Sequence, residues 1–524
     1  MSDKSDRQTM TRHVVLSSLS NYIGKFINLL SWFVLAPFLL NQLGDRSYGL
    51  WVLVGSVTAY GFLLNFGITD AITKYVAEYR AKGEMEQARS IIATGLLLNA
   101  GLGLLLIFVS VLLAPFFTNL FNVTTAEEST ATWLFLLSGI GVGLTIPCGI
   151  ATAVLRGLQR FDLLNISGVL ATLLTVGATI IILLSHRGVI GLAIVGITIT
   201  LLIQIFNIWL IYQIAPELRF GWHSGSRSHI RTLASYSSAL FVMSLGGHLE
   251  SRSDEIVIGG FLPVASVTPY NLARQLSGLP QALTGQFLTL LLPLASEIHA
   301  KENLEQLRSL YLISTRVTLA IFLPIALILV IFAKDILTLW IGANYAQYAY
   351  LILILVTASL IDTSQWPAGF VLQGMAKHHP LAIMTIASGV TNLIISILLV
   401  GRFNLMGVAL GTLIPTTIVC IGFVTPYAMR MIGVGIKEMY AKVLQPAILP
   451  SIPMGIGMIL LREVLPAPSM FLLLLLATVG LLIYLAVYLL LKENDYERKL
   501  FIKVLETITV QARLRLKVAA RRNE

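Results

Sequence analysis

Apolar runs of about twenty residues, separated by short polar or charged stretches, recur along the chain from residue 14 to residue 491. A hydrocarbon layer about 30 Å thick takes about 20 residues of helix to cross, and within lipid a helix satisfies its own backbone groups without having to close into a barrel. The runs therefore predict about fourteen membrane helices. These spans cover 14–40, 47–68, 91–115, 131–153, 164–185, 189–213, 234–260, 267–293, 311–333, 347–372, 381–400, 405–429, 442–461 and 469–491. The seventh and eighth carry the most polar residues.

The polar connections show a second pattern. Ala81-Lys82-Gly83-Glu84-Met85-Glu86-Gln87-Ala88-Arg89-Ser90, after the second span, returns as Ala300-Lys301-Glu302-Asn303-Leu304-Glu305-Gln306-Leu307-Arg308-Ser309, after the eighth. Leu155-Arg156-Gly157-Leu158-Gln159-Arg160 is echoed by Leu372-Gln373-Gly374-Met375-Ala376-Lys377, and Gly191-Leu192-Ala193 by Gly407-Val408-Ala409. Three echoes in order imply a duplicated six-helix unit. The expected plan is a first lobe over 1–213, a second over 234–429 in the same orientation, two extra helices over 442–491, and a basic cytoplasmic tail over 492–524. Parallel repeats of this kind are a transporter architecture.

Composition agrees with the spans. The chain has 524 residues, 56% hydrophobic and only 12% charged, against about 25% charged in ordinary soluble domains. The net charge of +10 lies in loops and tail, where a membrane surface accounts for it better than nucleic acid does. Lys and Arg concentrate on the side of the N-terminus, whereas the opposite side receives Arg46, Arg187, Lys334, Arg402 and Arg462. That bias predicts both termini in the cytoplasm. Cys148 and Cys420 both lie in apolar spans and read as buried free thiols.

Ionisable residues inside spans are costly, about 2.5–3.5 kcal/mol at the bilayer centre, so they should face protein or water. In the first span Asn21, Lys25 and Asn28 share a face with Trp32 a turn beyond. Lys25 there either draws an anion into a cavity or snorkels. In the seventh span His248, Arg252 and Glu255 share a face beside Glu250 and Asp254. Arg252 either lines a cavity or reaches interfacial water at a helix end. The eighth span is the most informative. Asn271, Arg274, Gln275, Gly278, Gln281 and Gly285 fall within about one third of its circumference. Such a stripe suits a wet cavity with Arg274 as its cationic centre, the alternative being a polar zipper between helices. Arg316, near the start of the ninth span, is expected to snorkel to the cytoplasm. Asp362 precedes Thr363-Ser364-Gln365-Trp366-Pro367. With Asp254 and Glu255 it is a candidate for proton or sodium coupling, while the polar run is placed to re-satisfy a turn broken by Pro367. The tail suits an amphipathic helix on anionic lipid or a solvated stop-transfer segment.

No Gly-x-x-x-x-Gly-Lys-Ser/Thr, His-Glu-x-x-His or Cys-x-x-Cys occurs, which speaks against a fused ATPase, a metal centre and a cofactor. All loops are short, which disfavours an enzyme.

Several local motifs carry a family resemblance: Ala36-Pro37 before Leu43-Gly44-Asp45-Arg46-Ser47-Tyr48-Gly49-Leu50-Trp51, then Asn65-Phe66-Gly67-Ile68, Arg156-Gly157-Leu158-Gln159-Arg160-Phe161, and Tyr270-Asn271-Leu272-Ala273-Arg274-Gln275-Leu276. In this set and order the chain resembles the Wzx-type polysaccharide flippases of the multidrug/oligosaccharidyl-lipid/polysaccharide exporter superfamily. Peptidoglycan-precursor flippases of that superfamily also resemble it, with an arginine matching Arg274 and a basic residue near Lys25. Their first-helix arginine–aspartate pair is not reproduced, since Phe26 follows Lys25.

The resemblance implies an all-α polytopic membrane protein with two six-helix lobes in a V-shaped bundle, in a bacterial inner membrane. It implies an alternating-access flippase for polyprenyl-diphosphate-linked oligosaccharide, used in O-antigen, capsule or exopolysaccharide assembly. Lys25, Arg252 and Arg274 would bind the diphosphate or an acidic sugar, with Asn21, Asn28, Asn271, Gln275 and Gln281 lining the cavity. Membrane lipids are expected partners, together with a polysaccharide polymerase and a chain-length regulator; nucleic acid is not. The rival readings are a cation-coupled multidrug or lipid II exporter of the same superfamily, and a membrane enzyme or scaffold of envelope assembly.

Overall fold

A computed structural model describes the backbone of residues 2–218, 226–288, 290–465 and 469–491, with a few positions up to 499. Side chains are described from residue 29 onward, outside 227–228, 235–240, 242–244, 251 and 286–287. Among the described residues there are helices and no strands. In chain order they are α1 (Ser2–Ala59), α2 (Ile68–Lys82), α3 (Met85–Leu120), α4 (Glu128–Gly157), α5 (Phe161–Leu184), α6 (Gly188–Ile214), α7 (Arg227–Phe261), α8 (Val267–Ser277), α9 (Leu279–Leu288) and α10 (Leu291–Ala300). There follow α11 (Leu304–Ile331), α12 (Ala333–Ile341), α13 (Ala349–Gly374), α14 (His379–Val419), α15 (Thr425–Ile432), α16 (Ile436–Met439), α17 (Gln445–Ile448), α18 (Ser451–Val464) and α19 (Met470–Leu490).

Among the described residues ten segments are long and apolar enough to cross a membrane, so this is an all-α, multi-pass membrane protein. Two of the ten merge a pair of expected spans. The first and second spans form one long helix kinked at Gly44, whose φ of 72° and ψ of 170° are non-helical. The eleventh and twelfth join in α14 across a kink at Asn404. The seventh and eighth spans are absent from the ten: the seventh is long but carries many polar residues, and the eighth is broken into helices too short to span. The eighth departs most from expectation. One helix over 267–293 was expected; α8, α9 and α10 replace it. Pro280 lacks the N–H that would complete the helical ladder across Gly278, which supplies the physical reason for the first break.

The chain packs as two compact units, 1–272 with 382–415 and 273–381 with 416–524. In the first, Ile72, Ile91, Ile150, Val154 and Ile211 form a buried core under α2, α3, α4 and α6. There α3 and α4 approach closely through small residues. A Cβ at Gly103 would collide with the Gly143 carbonyl, and one at Gly139 with Ser110, as expected where packing rather than hydrophobicity holds helices together. In the second unit Leu307, Tyr311, Val371, Leu372, Ala428 and Val443 form the corresponding core.

The sequence echoes return as backbone geometry. Gly83 and Glu302 both adopt left-handed φ, at 75° and 54°. In both turns the following hydrogen bonds reach back identically, Gly83 N to Arg80 O and Glu84 N to Tyr79 O, then Glu302 N to His299 O and Asn303 N to Ile298 O. Gln159 and Ala376 form a second such pair, at 58° and 56°, and the ion pairs Glu78–Lys82 and Glu297–Lys301, each at 2.6 Å, form a third correspondence.

Candidate functional site

In the first unit the polar face of α7 is buried. Asp254 is 1% exposed and Glu255 fully buried. Asp254 Oδ2 accepts from the Tyr270 hydroxyl at 2.6 Å and from Thr412 Oγ1 at 2.9 Å. Asn392 Nδ2 donates to Thr412 Oγ1 at 3.1 Å, and Asn392 Oδ1 lies 3.4 Å from Ser253 Oγ. Glu255 Oε1 accepts from Asn271 Nδ2 at 3.1 Å. Two adjacent carboxylates are thus held by hydroxyls and amides from α7, α8 and α14. Arg252 is half-buried on the same helix. Tyr60 donates to the His248 carbonyl at 3.2 Å, tying the region after the first kink to α7. Sequence reasoning found Asp254, Glu255 and Asn271 but missed Ser253, Tyr270, Asn392 and Thr412. The available signal was weak: Asn392 is the one amide side chain in its span, and Thr412 is one of several threonines in its own.

In the second unit α9 and α13 meet through polar side chains. Gln281 Nε2 donates to Asp362 Oδ2 at 2.9 Å, and Trp366 Nε1 donates to the same oxygen at 3.1 Å. One turn along, Gly285 leaves room for the Trp366 ring: a Cβ there would sit 2.9 Å from its Cζ3. Thr425 Oγ1 donates to Gln365 Oε1 at 2.9 Å, next to a π-helical turn over Cys420–Val424. The polar run before Pro367 therefore reaches sideways, to α9 and to Thr425. Both ends of the expected eighth-span stripe are engaged as interhelical polar contacts, Asn271 with Glu255 and Gln281 with Asp362. Arg274 and Gln275 lie between them in sequence, half-buried.

Arg316 does not snorkel. It is buried, with Nε and Nη2 on Glu497 Oε1 at 2.9 and 2.6 Å and Nη1 on the Lys442 carbonyl at 3.2 Å. The reason is that residues just after α19 fold back and supply a counter-charge. Asn494, also buried, donates to the Tyr488 carbonyl at 2.8 Å. The side chains of Asn21, Lys25 and Asn28 lie outside the described residues, as does the tail from residue 500. Cys148 and Cys420 are both free thiols, Cys420 buried and Cys148 half-buried. No group of three or more His, Cys, Asp or Glu side chains could hold a metal among the described residues.

Comparison with known proteins places this arrangement. Lipid II flippase MurJ, in an inward closed conformation, superposes with a TM-score of 0.71 over 93% of this chain and 100% of its own, at 15% identity. That likeness is one of fold. The probable low-salt glycan biosynthesis flippase Agl15 of Haloferax volcanii is 24% identical over 204 residues, 39% of this chain, and the match spans 42% of that protein's length. A putative O-antigen transporter of Salmonella typhimurium is 24% identical over 341 residues, 62% of this chain and 76% of its own length. The family profile described as polysaccharide biosynthesis protein matches residues 43–350. That stretch is more than half of the chain and includes the kink at Gly44, the α7 carboxylates and the broken helix with Arg274, and by this match the chain belongs to the polysaccharide biosynthesis protein family.

Proposed function

We propose that this chain is an alternating-access flippase that moves polyprenyl-diphosphate-linked oligosaccharide across the bacterial inner membrane for cell-surface polysaccharide assembly. The observation that carries the reading is Arg274, a half-buried cation on α8, in an expected span interrupted at Gly278. A diphosphate cannot leave water for lipid without a counter-charge. A guanidinium on a broken membrane helix offers one, in the manner of discontinuous transporter helices. Arg252 and Lys25 are the further cations assigned to the head group, and Gln275 with Asn21 and Asn28 the accompanying amides. The glycan and O-antigen roles named for two relatives support this substrate class.

The repeats over 1–213 and 234–429 act as the two lobes that alternate. With no ATP-binding motif in the sequence, the energy comes from an ion gradient or from consumption of the product outside. Asp254 with its hydroxyl partners Tyr270 and Thr412 is the first choice for the coupling site, because a carboxylate among neutral oxygen groups suits a proton or a hard monovalent cation; Glu255 and Asp362 are the alternatives. Both termini lie in the cytoplasm. The protein works as a transporter rather than a catalyst, beside a polymerase and a chain-length regulator.

The test is flipping of a fluorescent polyprenyl-diphosphate oligosaccharide in proteoliposomes. Wild-type chain moves the probe, and Arg274→Ala slows it by tenfold or more while inserting normally. Absence of flipping by the wild type, or normal flipping by Arg274→Ala, overturns the reading.

A further inference from the structure

The first unit holds a cavity of about 560 Å³ among α1, α4, α5 and α6, within the range of roughly 300–1,000 Å³ usual for small-molecule sites. It contains none of the residues discussed above as carboxylate or head-group sites. Its described lining residues include no ionisable side chain. They include Trp32, Trp51 and a column of hydroxyls, Thr172, Thr175 and Thr179 on α5 facing Ser138 on α4. Residues 172, 175 and 179 follow helical spacing, which puts them on one face.

We infer that this chamber takes the uncharged sugar units of the transported glycan, an assignment that rests on the flippase reading. A diphosphate does not suit the described walls, since their described lining residues include no counter-charge. A hydrocarbon chain dissolves in the bilayer without needing such a chamber, whereas a sugar needs shelter from it. The walls are mostly apolar, and the hydroxyls and indoles set among them have chemistry that suits a sugar. Thr172 donates to the Gly168 carbonyl at 3.0 Å, Thr145 to Val142 at 2.9 Å and Thr200 to Gly196 at 2.8 Å. Each hydroxyl that donates to its own helix keeps lone pairs for an incoming donor, and sugar hydroxyls are donors. Indole faces are electron-rich and attract the partly positive C–H groups of a pyranose ring, while the indole N–H donates to ring substituents.

Position adds a second argument. The lining comes from the middle of α4, the middle and second half of α5 and the first half of α6. These lie toward the connections near Gly44, Thr125–Glu127 and Ser185, the side poor in basic residues, which is the outer side by charge bias. The sugars would therefore be held on the exit side of the first unit.

The experiment compares two probes, farnesyl diphosphate carrying a neutral trisaccharide and farnesyl diphosphate alone, with the full chain in proteoliposomes and in nanodiscs. In the variant Thr175→Val/Thr179→Val, flipping of the glycosylated probe falls about tenfold and that of the bare probe changes less than twofold. In nanodiscs the wild type binds the glycosylated probe about tenfold more tightly than the bare one, and the variant loses that preference. Equal loss for both probes, or no loss for either, overturns the chamber; the first result would reveal a site for the lipid chain or a structural role. Should wild type flip neither probe, the flippase reading fails while the binding preference still decides the chamber. If the double variant does not fold, Trp32→Phe is judged by the same two ratios.

Discussion

Asp254 in the first unit and Glu497 in the second are both carboxylates largely hidden from solvent, and they are held in opposite ways. Asp254 is met by the hydroxyls of Tyr270 and Thr412, groups that carry no charge and can reorient. Glu497 is met by the guanidinium of Arg316, which a backbone carbonyl also fixes. The first arrangement holds the carboxylate through neutral hydroxyl donors. The second is a closed ion pair, and its consequence is mechanical: it fastens the segment after α19 to α11. Buried carboxylates in this molecule are therefore held in two ways, and the chemical type of the partner distinguishes them.

The largest effect that would break this comparison comes from the ion pair. Removing one member leaves the other buried and uncompensated, at a cost of about 3–5 kcal/mol. Glu497→Ala and Arg316→Ala should each strongly lower the thermal unfolding temperature in detergent, and Arg316→Met/Glu497→Met should recover much of the loss. Unchanged unfolding in Glu497→Ala would remove the mechanical role.

Asp254→Asn should behave in the reverse sense. The amide oxygen still accepts from Tyr270 and Thr412, so stability should change by no more than about 1 kcal/mol. Flipping should fall about tenfold and lose its dependence on the imposed proton or sodium gradient. A variant that keeps full gradient dependence would hand the coupling role to Asp362 or Glu255.

A third, smaller effect tests the polar joint in the second unit. Gly285→Ala pushes a methyl against Trp366 and should cost about 1–3 kcal/mol by overpacking, measured as a shift in unfolding. Adding Trp366→Leu should remove most of that cost.

The smallest effect compares the two repeats directly. Gly83→Ala forces a Cβ onto a left-handed residue and should destabilise by about 1 kcal/mol. Glu302→Gly at the matching turn removes that strain but adds unfolded-chain entropy, so it should change stability by under about 1 kcal/mol. Equal effects of the two substitutions would mean that the turns are not equivalent.

How far the sequence could be read follows from the range of the forces involved. Apolar length determined the helices, because the bilayer sets a local requirement that each span must meet alone. Kinked joins such as Gly44 and Asn404 blurred boundaries without changing the spans. The echo between Ala81–Ser90 and Ala300–Ser309 was legible because turn chemistry is also local, and it reappears as left-handed residues at 83 and 302. Asn271 and Gln281 were visible as polar positions, yet whether each faced water or a carboxylate depended on α7 and α13. Asn392 and Thr412 stand about 140–160 positions from Ser253 and Asp254, and a single sequence has no period connecting them. Arg316 read as a snorkelling cation because its counter-charge lies 181 residues away. The sequence alone thus determined which segments enter the membrane and where polarity enters with them. Only tertiary structure decided which polar group meets which, since hydrogen bonds and ion pairs act over about 3 Å and depend on packing between distant helices.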